Sequence, residues 1–151
     1  MVALTDSIKI KANPEEIFNA LTKIFSTEKY YKMWHKDHTI CKWLKGKPFE
    51  KGSIVYAEEY LHSKLHKMKF IGTRVVKNKI IEFKLLFPTS IICPKGSFVI
   101  EKDNENSIFT ANLYFRFSNF FIKYAKDRVD IIKRHMKEEG ENLKKIVENK
   151  L

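Results

Sequence analysis

Apolar residues change their spacing along the chain, and each change marks a new kind of element. Residues 4–12, LTDSIKIKA, alternate between apolar and polar positions and predict a strand. Asn13, Pro14 and Glu16 follow. Asn is a good helix N-cap, Pro suits the first helical position, and Glu at the third completes a start resembling a capping box. The helix PEEIFNALTKIF then gathers Ile17, Leu21 and Ile24 on one face, with Phe18 and Phe25 beside it. Ser26 is placed to cap a second short helix, TEKYYKMW.

From about residue 39 the period falls to two. Strands are expected at 39–45, 53–61, 64–76, 79–87, 95–102 and 107–117. The turn-forming stretches KGKPFEKG, HSK, KNK, FPTS through CPKG, and DNEN separate them. From about 119 to 150 the helical period returns as one long segment. The order is strand, two short helices, six strands, long helix. That defines an α+β fold with a curved, antiparallel, seven-stranded sheet. Such a meander must bury one face, and a helix of about thirty residues, roughly 45 Å long, is the natural cover. No repeat, linker or low-complexity tract interrupts the pattern, and 151 residues suit a single domain, 1–151.

The long helix carries an anomaly. Stepping from Ile132 by 3.6 residues reaches His135/Met136, Glu139, Leu143 and Ile146/Val147. A histidine and a glutamate four residues apart thus fall in the middle of the apolar stripe. Residues at that spacing share one face and can reach a single ion. Imidazole and carboxylate suit zinc, and iron, cobalt or nickel would accept them too. A carboxylate buried without a partner costs several kcal/mol, and a cation removes that cost. Rotating the helix by about 100° would instead leave Glu138, Glu139 and Glu141 on a solvated face, with His135 at its edge.

Composition narrows the function classes. The net charge is +11, but the excess is almost all Lys, spread along every segment, with only Arg74, Arg116, Arg128 and Arg134 as arginines. Nucleic-acid recognition favours Arg forks and local basic runs, so a solvated Lys-rich surface and no nucleic-acid partner are expected. Cys41 and Cys93 have no CxxC spacing and read as reduced thiols of a cytoplasmic protein. The opening MVALTDSIKIKA has no signal-peptide pattern, and no window reaches the length of a membrane span. No GxSxG elbow, P-loop or GxGxxG is present, which argues against a serine hydrolase of that type, a phosphotransferase or a nicotinamide enzyme. Twelve Phe among 13% aromatics allow an aromatic-lined interior.

The order of elements, with the opening IKIKANPEEIFNALTKIF, resembles the START-like, or SRPBCC, helix-grip superfamily over essentially the whole chain. That group includes pollen-allergen-type proteins, polyketide cyclases and lipid-transfer domains. The resemblance implies a sheet wrapped around the C-terminal helix, with a hydrophobic ligand cavity between them.

Three stretches, YYKMWHKDH at 30–38, GSIVYAEEYL at 52–61 and RHMKEEGENL at 134–143, are similar to the metal-binding subgroup related to 2,4-diacetylphloroglucinol hydrolase. That likeness implies a Zn2+ ion held by His38, Glu59, His135 and Glu139, with Tyr30 near the substrate as the catalytic group and Tyr31 next to it. It also implies hydrolysis of a carbon–carbon or ester bond in an acyl-aromatic or ketone-type molecule. A carrier or sensor of a hydrophobic ligand, with the same cavity and no chemistry, is the alternative. The hydrolase is larger at its N-terminus, and its asparagine shortly after the first histidine has no counterpart here, where Cys41 is nearby.

The residues themselves leave choices open. His35 competes with His38, which leads directly into the strand TICKW. Alternation groups Glu59 with Val55, Ala57 and Leu61, and Glu58 with Ile54, Tyr56 and Tyr60, and both faces are partly apolar. His62 and His66 flank a hairpin and are expected to be exposed. Trp34 and Trp43 either line the cavity mouth or pack in the core. The aromatic run FSNFFIKYA at 117–125 has two readings, contact with a membrane and, more simply, the hydrophobic start of the gripping helix. The expected partner is a small hydrophobic or aromatic ligand, and a homodimer is compatible with the pattern.

Overall fold

The computed structural model describes residues 1–149, and for 119–121 the backbone alone. Strand β1 (Val2–Ile10) leads into helices α1 (Pro14–Ile24) and α2 (Glu28–Trp34). Strands β2 (His38–Lys45), β3 (Ile54–Leu61), β4 (Lys64–Val76), β5 (Ile80–Leu85), β6 (Lys95–Asp103) and β7 (Asn106–Phe115) follow. Helices α3 (Asn119–Tyr124) and α4 (Lys126–Glu148) close the described chain. All seven strands form one antiparallel sheet in the order β1-β7-β6-β5-β4-β3-β2. This is the helix-grip architecture: an open curved sheet holding a long helix, with two short helices inserted after the first strand.

Local chemistry explains the inserted helices. Asn13 Oδ1 accepts from the Glu16 backbone N–H at 2.9 Å, and Pro14 opens α1 as expected. The α2 cap differs from the expectation. Ser26 donates its hydroxyl to the Lys23 carbonyl and finishes α1, while Thr27, extended at φ −142°, accepts from Tyr30 N–H at 3.3 Å and starts α2. The long helix is also two pieces. The backbone leaves helical geometry at Ala125 (φ −103°, ψ 30°), so the gripping helix α4 has 23 residues and spans about 35 Å. The helix end expected at residue 150 lies outside the described residues.

Two apolar clusters flank the interior. One joins Ile10, Ile17, Leu21, Trp34, Phe109 and Leu143, and the other joins Leu4, Met68, Leu85, Phe115, Val129 and Met136. Both contain side chains from α4, so the helix spans the length of the core. Gly140 lets it approach β1 closely: a Cβ there would sit 3.2 Å from Asp6 Oδ2 and 3.4 Å from Ile8 Cγ2. Between helix and sheet lies a cavity of about 1010 Å³. Trp34 and Trp43 both line it, alongside Phe25, Phe70, Phe83 and Phe98. Among the described residues, no helix is long and apolar enough to cross a membrane.

Candidate metal centre

Four side chains from three parts of the chain converge at one end of the cavity. His38 starts β2, Glu59 lies opposite it on β3, and His135 and Glu139 project from successive turns of α4. The register that pairs His38 with Glu59 shifts before Ile40, a local irregularity at the site. Helix α4 is fastened there by α2. The Trp34 indole donates to the Glu139 carbonyl at 2.9 Å, and the Asn142 amide donates to the Trp34 carbonyl at 2.8 Å.

The donor atoms are close together. His38 Nε2 is 3.2 Å from Glu139 Oε2 and 3.3 Å from both Glu59 Oε2 and His135 Nε2. His135 Nε2 is 3.5 Å from Glu59 Oε2 and 3.6 Å from Glu139 Oε1. One donor atom from each residue lies within 4.8 Å of all the others. Ligands on a tetrahedral zinc with bonds near 2.05 Å stand about 3.3 Å apart, and the three contacts of His38 Nε2 lie at that spacing.

The imidazole of His38 is also in the right tautomer. Its Nδ1 lies 3.0 Å from the Tyr31 carbonyl, which only accepts, so Nδ1 carries the hydrogen. In the neutral ring the Nε2 lone pair then faces the cluster, the arrangement metal-bound histidines usually have. Without a cation, lone pairs from two imidazoles and two carboxylates would face one another. Protons are the other remedy. Burial opposes charge on His38, but hydrogen bonds to Glu139 and Glu59 outweigh it and raise its pKa to about 10. His135 is raised for the same reason, with Glu59 leading, and both histidines hold Glu59 below the usual carboxylate range despite its burial. The cluster therefore stays near neutral in either state: two imidazoliums with two carboxylates, or two neutral imidazoles, two carboxylates and a divalent ion.

Neighbouring residues of like type have different surroundings. His35 is buried, and with His38 and His135 it forms a second group whose donor atoms lie within 4.8 Å of one another and could hold an ion, but each of its nitrogens also has another partner. Its Nδ1 accepts from the Asp37 N–H at 3.0 Å, and its Nε2 faces Glu138 Oε1 at 3.5 Å. Burial, then the two other histidines, lower its pKa and keep it neutral. Glu58 is on the opposite face of β3 from Glu59, where it accepts from the Tyr56 hydroxyl at 2.6 Å.

Tyr30 is likewise not at the cavity. Its ring meets the ammonium groups of Lys23 and Lys29 in a shallow outer groove between α1, α2 and α4. The tyrosine at the cavity is Tyr31, 3% exposed, which stacks on His38 at 4.1 Å and reaches Glu59 Oε2 with its hydroxyl at 3.5 Å. Burial, then Glu59 and Glu139, raise its pKa well above the ordinary phenol value, so it remains a proton donor at neutral pH. Spacing alone favours Tyr30. Tyr31 and Trp34, three apart and both buried, define the inner face of α2, and a two-turn helix is too short for the sequence period to select it.

Only the carboxylates of the cluster and Tyr31 line the cavity; the two histidines lie behind them. The outer rim is different. It is bordered by the β3–β4 hairpin with His62, Leu65 and His66, the last being the cross-strand partner of Glu59, by the loop at Pro88, Thr89 and Ile92, and by the α3–α4 junction at Tyr124, Ala125 and Arg128. The hairpin histidines are half-buried instead of freely exposed.

No family model matches this chain, and no curated protein matches it by sequence. Solved structures match it along its length. The TTHA0849 protein from Thermus thermophilus superimposes with a TM-score of 0.75 at 12% identity, over 99% of each chain. Norcoclaurine synthase from Thalictrum flavum, solved in complex with dopamine and hydroxybenzaldehyde, gives 0.73 at 8% identity, over 98% of this chain and 87% of that one. The Zhui aromatase/cyclase from Streptomyces sp. R1128 gives 0.74 at 9% identity, over 99% and 96%. At such identities the likeness establishes the helix-grip fold, and function must be argued from the site.

Proposed function

We propose that this chain is a zinc-dependent hydrolase of the kind related to 2,4-diacetylphloroglucinol hydrolase, acting on a small acyl-aromatic or ketone-type molecule. The observation that carries the reading is the convergence of four side chains, with one donor atom from each within 4.8 Å of the others, contacts of 3.2–3.6 Å among them, and His38 fixed as an Nε2 donor. His38, Glu59, His135 and Glu139 would hold the ion. When bound, such an ion polarises a carbonyl as a Lewis acid or lowers the pKa of a water toward 7. The protein's own groups supply the rest. Phe25, Trp34 and Phe98 offer an aromatic ring apolar contact surfaces, and the cavity shields it from bulk water. Tyr31 holds a proton beside Glu59, at the cavity wall where a ligand oxygen would lie.

A second reading rests on the donor count. Two histidines and two carboxylates already fill four positions, as in closed structural sites, whereas catalytic sites usually keep one open. That favours a carrier or sensor whose ion is structural. Metal content should be measured by plasma mass spectrometry on untagged protein purified without chelator, with His135→Ala, Glu139→Ala and the near-isosteric Glu139→Gln alongside. The expected result is about one zinc per wild-type chain and almost none in the variants. Wild-type protein that neither contains zinc nor takes it up would end both metal readings. Zinc without turnover of any acyl-aromatic or ketone probe would leave the carrier.

A further inference from the structure

The cavity mouth carries more exposed apolar surface than an aqueous opening needs. Phe87 is 77% exposed, Ile91 59%, Ile92 53%, Leu65 40% and Tyr124 85%. Half of the large exposed hydrophobics among the described residues thus belong to the three segments bordering one opening. These segments are connected. The Arg116 N–H donates to the Ile92 carbonyl at 2.9 Å, and its guanidinium Nε donates to Ser90 O at 3.4 Å, holding the 86–94 loop to the end of β7. Beneath it Cys93, Phe117, Ile122, Val129 and Ile132 pack as one cluster, tying the loop to α3 and α4.

Charge accompanies the apolar ring. The 61–67 hairpin carries Lys64 and Lys67, and residues 116–128 carry Arg116, Lys123, Lys126 and Arg128. Asp127 is the one carboxylate on these stretches, and the 86–94 loop has no charged residue. An apolar protrusion flanked by cations fits the interface of an anionic bilayer, where side chains enter the acyl boundary and Lys and Arg meet headgroup phosphates.

We propose that the cavity mouth docks on anionic membrane surfaces, so that an apolar ligand passes between bilayer and cavity without crossing water. The surface does not depend on the metal centre, and metal-free protein should bind equally well. The test is co-sedimentation with vesicles of phosphatidylcholine alone and with about 30% phosphatidylglycerol added. Wild-type protein should partition onto the anionic vesicles, and added salt should weaken but not abolish this. Phe87→Ser/Ile91→Ser, which keeps every charge, should reduce partitioning about tenfold or more. Lys64→Glu/Lys126→Glu should reduce it far more than Lys42→Glu/Lys69→Glu, the same charge change on the outer sheet face. Circular dichroism and melting of each variant would establish that it is folded.

Two results would overturn the proposal. One is absence of binding to anionic vesicles at low salt. The other is binding that ignores the apolar variant and follows net charge alone. A concentration-dependent dimer abolished by Phe87→Ser/Ile91→Ser would assign the surface to a second copy of the chain instead.

Discussion

The two ends of the cavity follow opposite rules. At the inner end four ionisable side chains are withdrawn from water, and His38 is 2% exposed. At the outer end Phe87 and Tyr124, which could be buried, stand in solvent. Folding alone favours neither arrangement. The inner end is tolerable because its groups share charge among themselves, and a divalent ion would satisfy them without protons. The outer end becomes tolerable if something apolar meets it. The hairpin touches both regions, since His66 pairs with Glu59 across the sheet, whereas Phe87 and Ile91 stand on the loop between β5 and β6, where they can be changed without touching the four donor residues.

The strongest way to sharpen the contrast is to compare neighbours that the sequence makes nearly equivalent. Glu59→Gln should weaken zinc binding about a hundredfold or more, since even outer-shell partners of a metal are worth about 10–100-fold. Glu58→Gln, on the other face of β3, should change it less than about twofold. Isothermal titration of metal-free protein measures both. Equal losses would mean that the inner end is a diffuse acidic field and not a site with fixed donors.

The same neighbours show how much the sequence carried. Strand alternation and turn residues located all seven strands to within two residues, because one face of each had to be buried while turns had to be polar. His135 and Glu139 were visible as polar interruptions of an apolar stripe. What remained open depended on tertiary position. Glu58 and Glu59 lie on faces that both look partly apolar, because the outer face carries Ile54 and Tyr56. Tyr30 and Tyr31 occupy a helix of seven residues, too short to set a phase. The break at Ala125 has no Gly or Pro to announce it. The resemblance to the hydrolase subgroup supplied the order of the donors, and the geometry brings those four together.

A smaller effect concerns protons at the inner end. In metal-free protein His38 is raised from 6.5 to about 10. A raised histidine stabilises fully below its unfolded pKa, and the contribution is lost as pH rises through the folded value. Glu59 is lowered from 4.5, so its contribution is present above that value and lost as pH falls. Both are in force between pH 4.5 and 6.5. Urea unfolding of metal-free wild type against His38→Gln should show the largest difference in that window and a shrinking one toward pH 10. Saturation with zinc should move the wild-type optimum upward, because the ion requires both imidazoles unprotonated. A difference that grows from pH 6.5 to 10 would refute the charge assignment.

The smallest expected change is at the outer end, and its smallness is informative. Phe87→Ser and Ile91→Ser remove side chains that are 77% and 59% exposed, so little buried area is lost. Surface substitutions of this kind change stability by less than about 0.5 kcal/mol. If denaturant unfolding in the absence of lipid finds a loss of more than about 2 kcal/mol, comparable with emptying a core position, the rim belongs to the folded core and its exposure is misleading. If stability is unchanged, the fold gives no reason for apolar residues at the mouth. What holds them there would then act from outside the chain, as a metal ion would for His38, Glu59, His135 and Glu139.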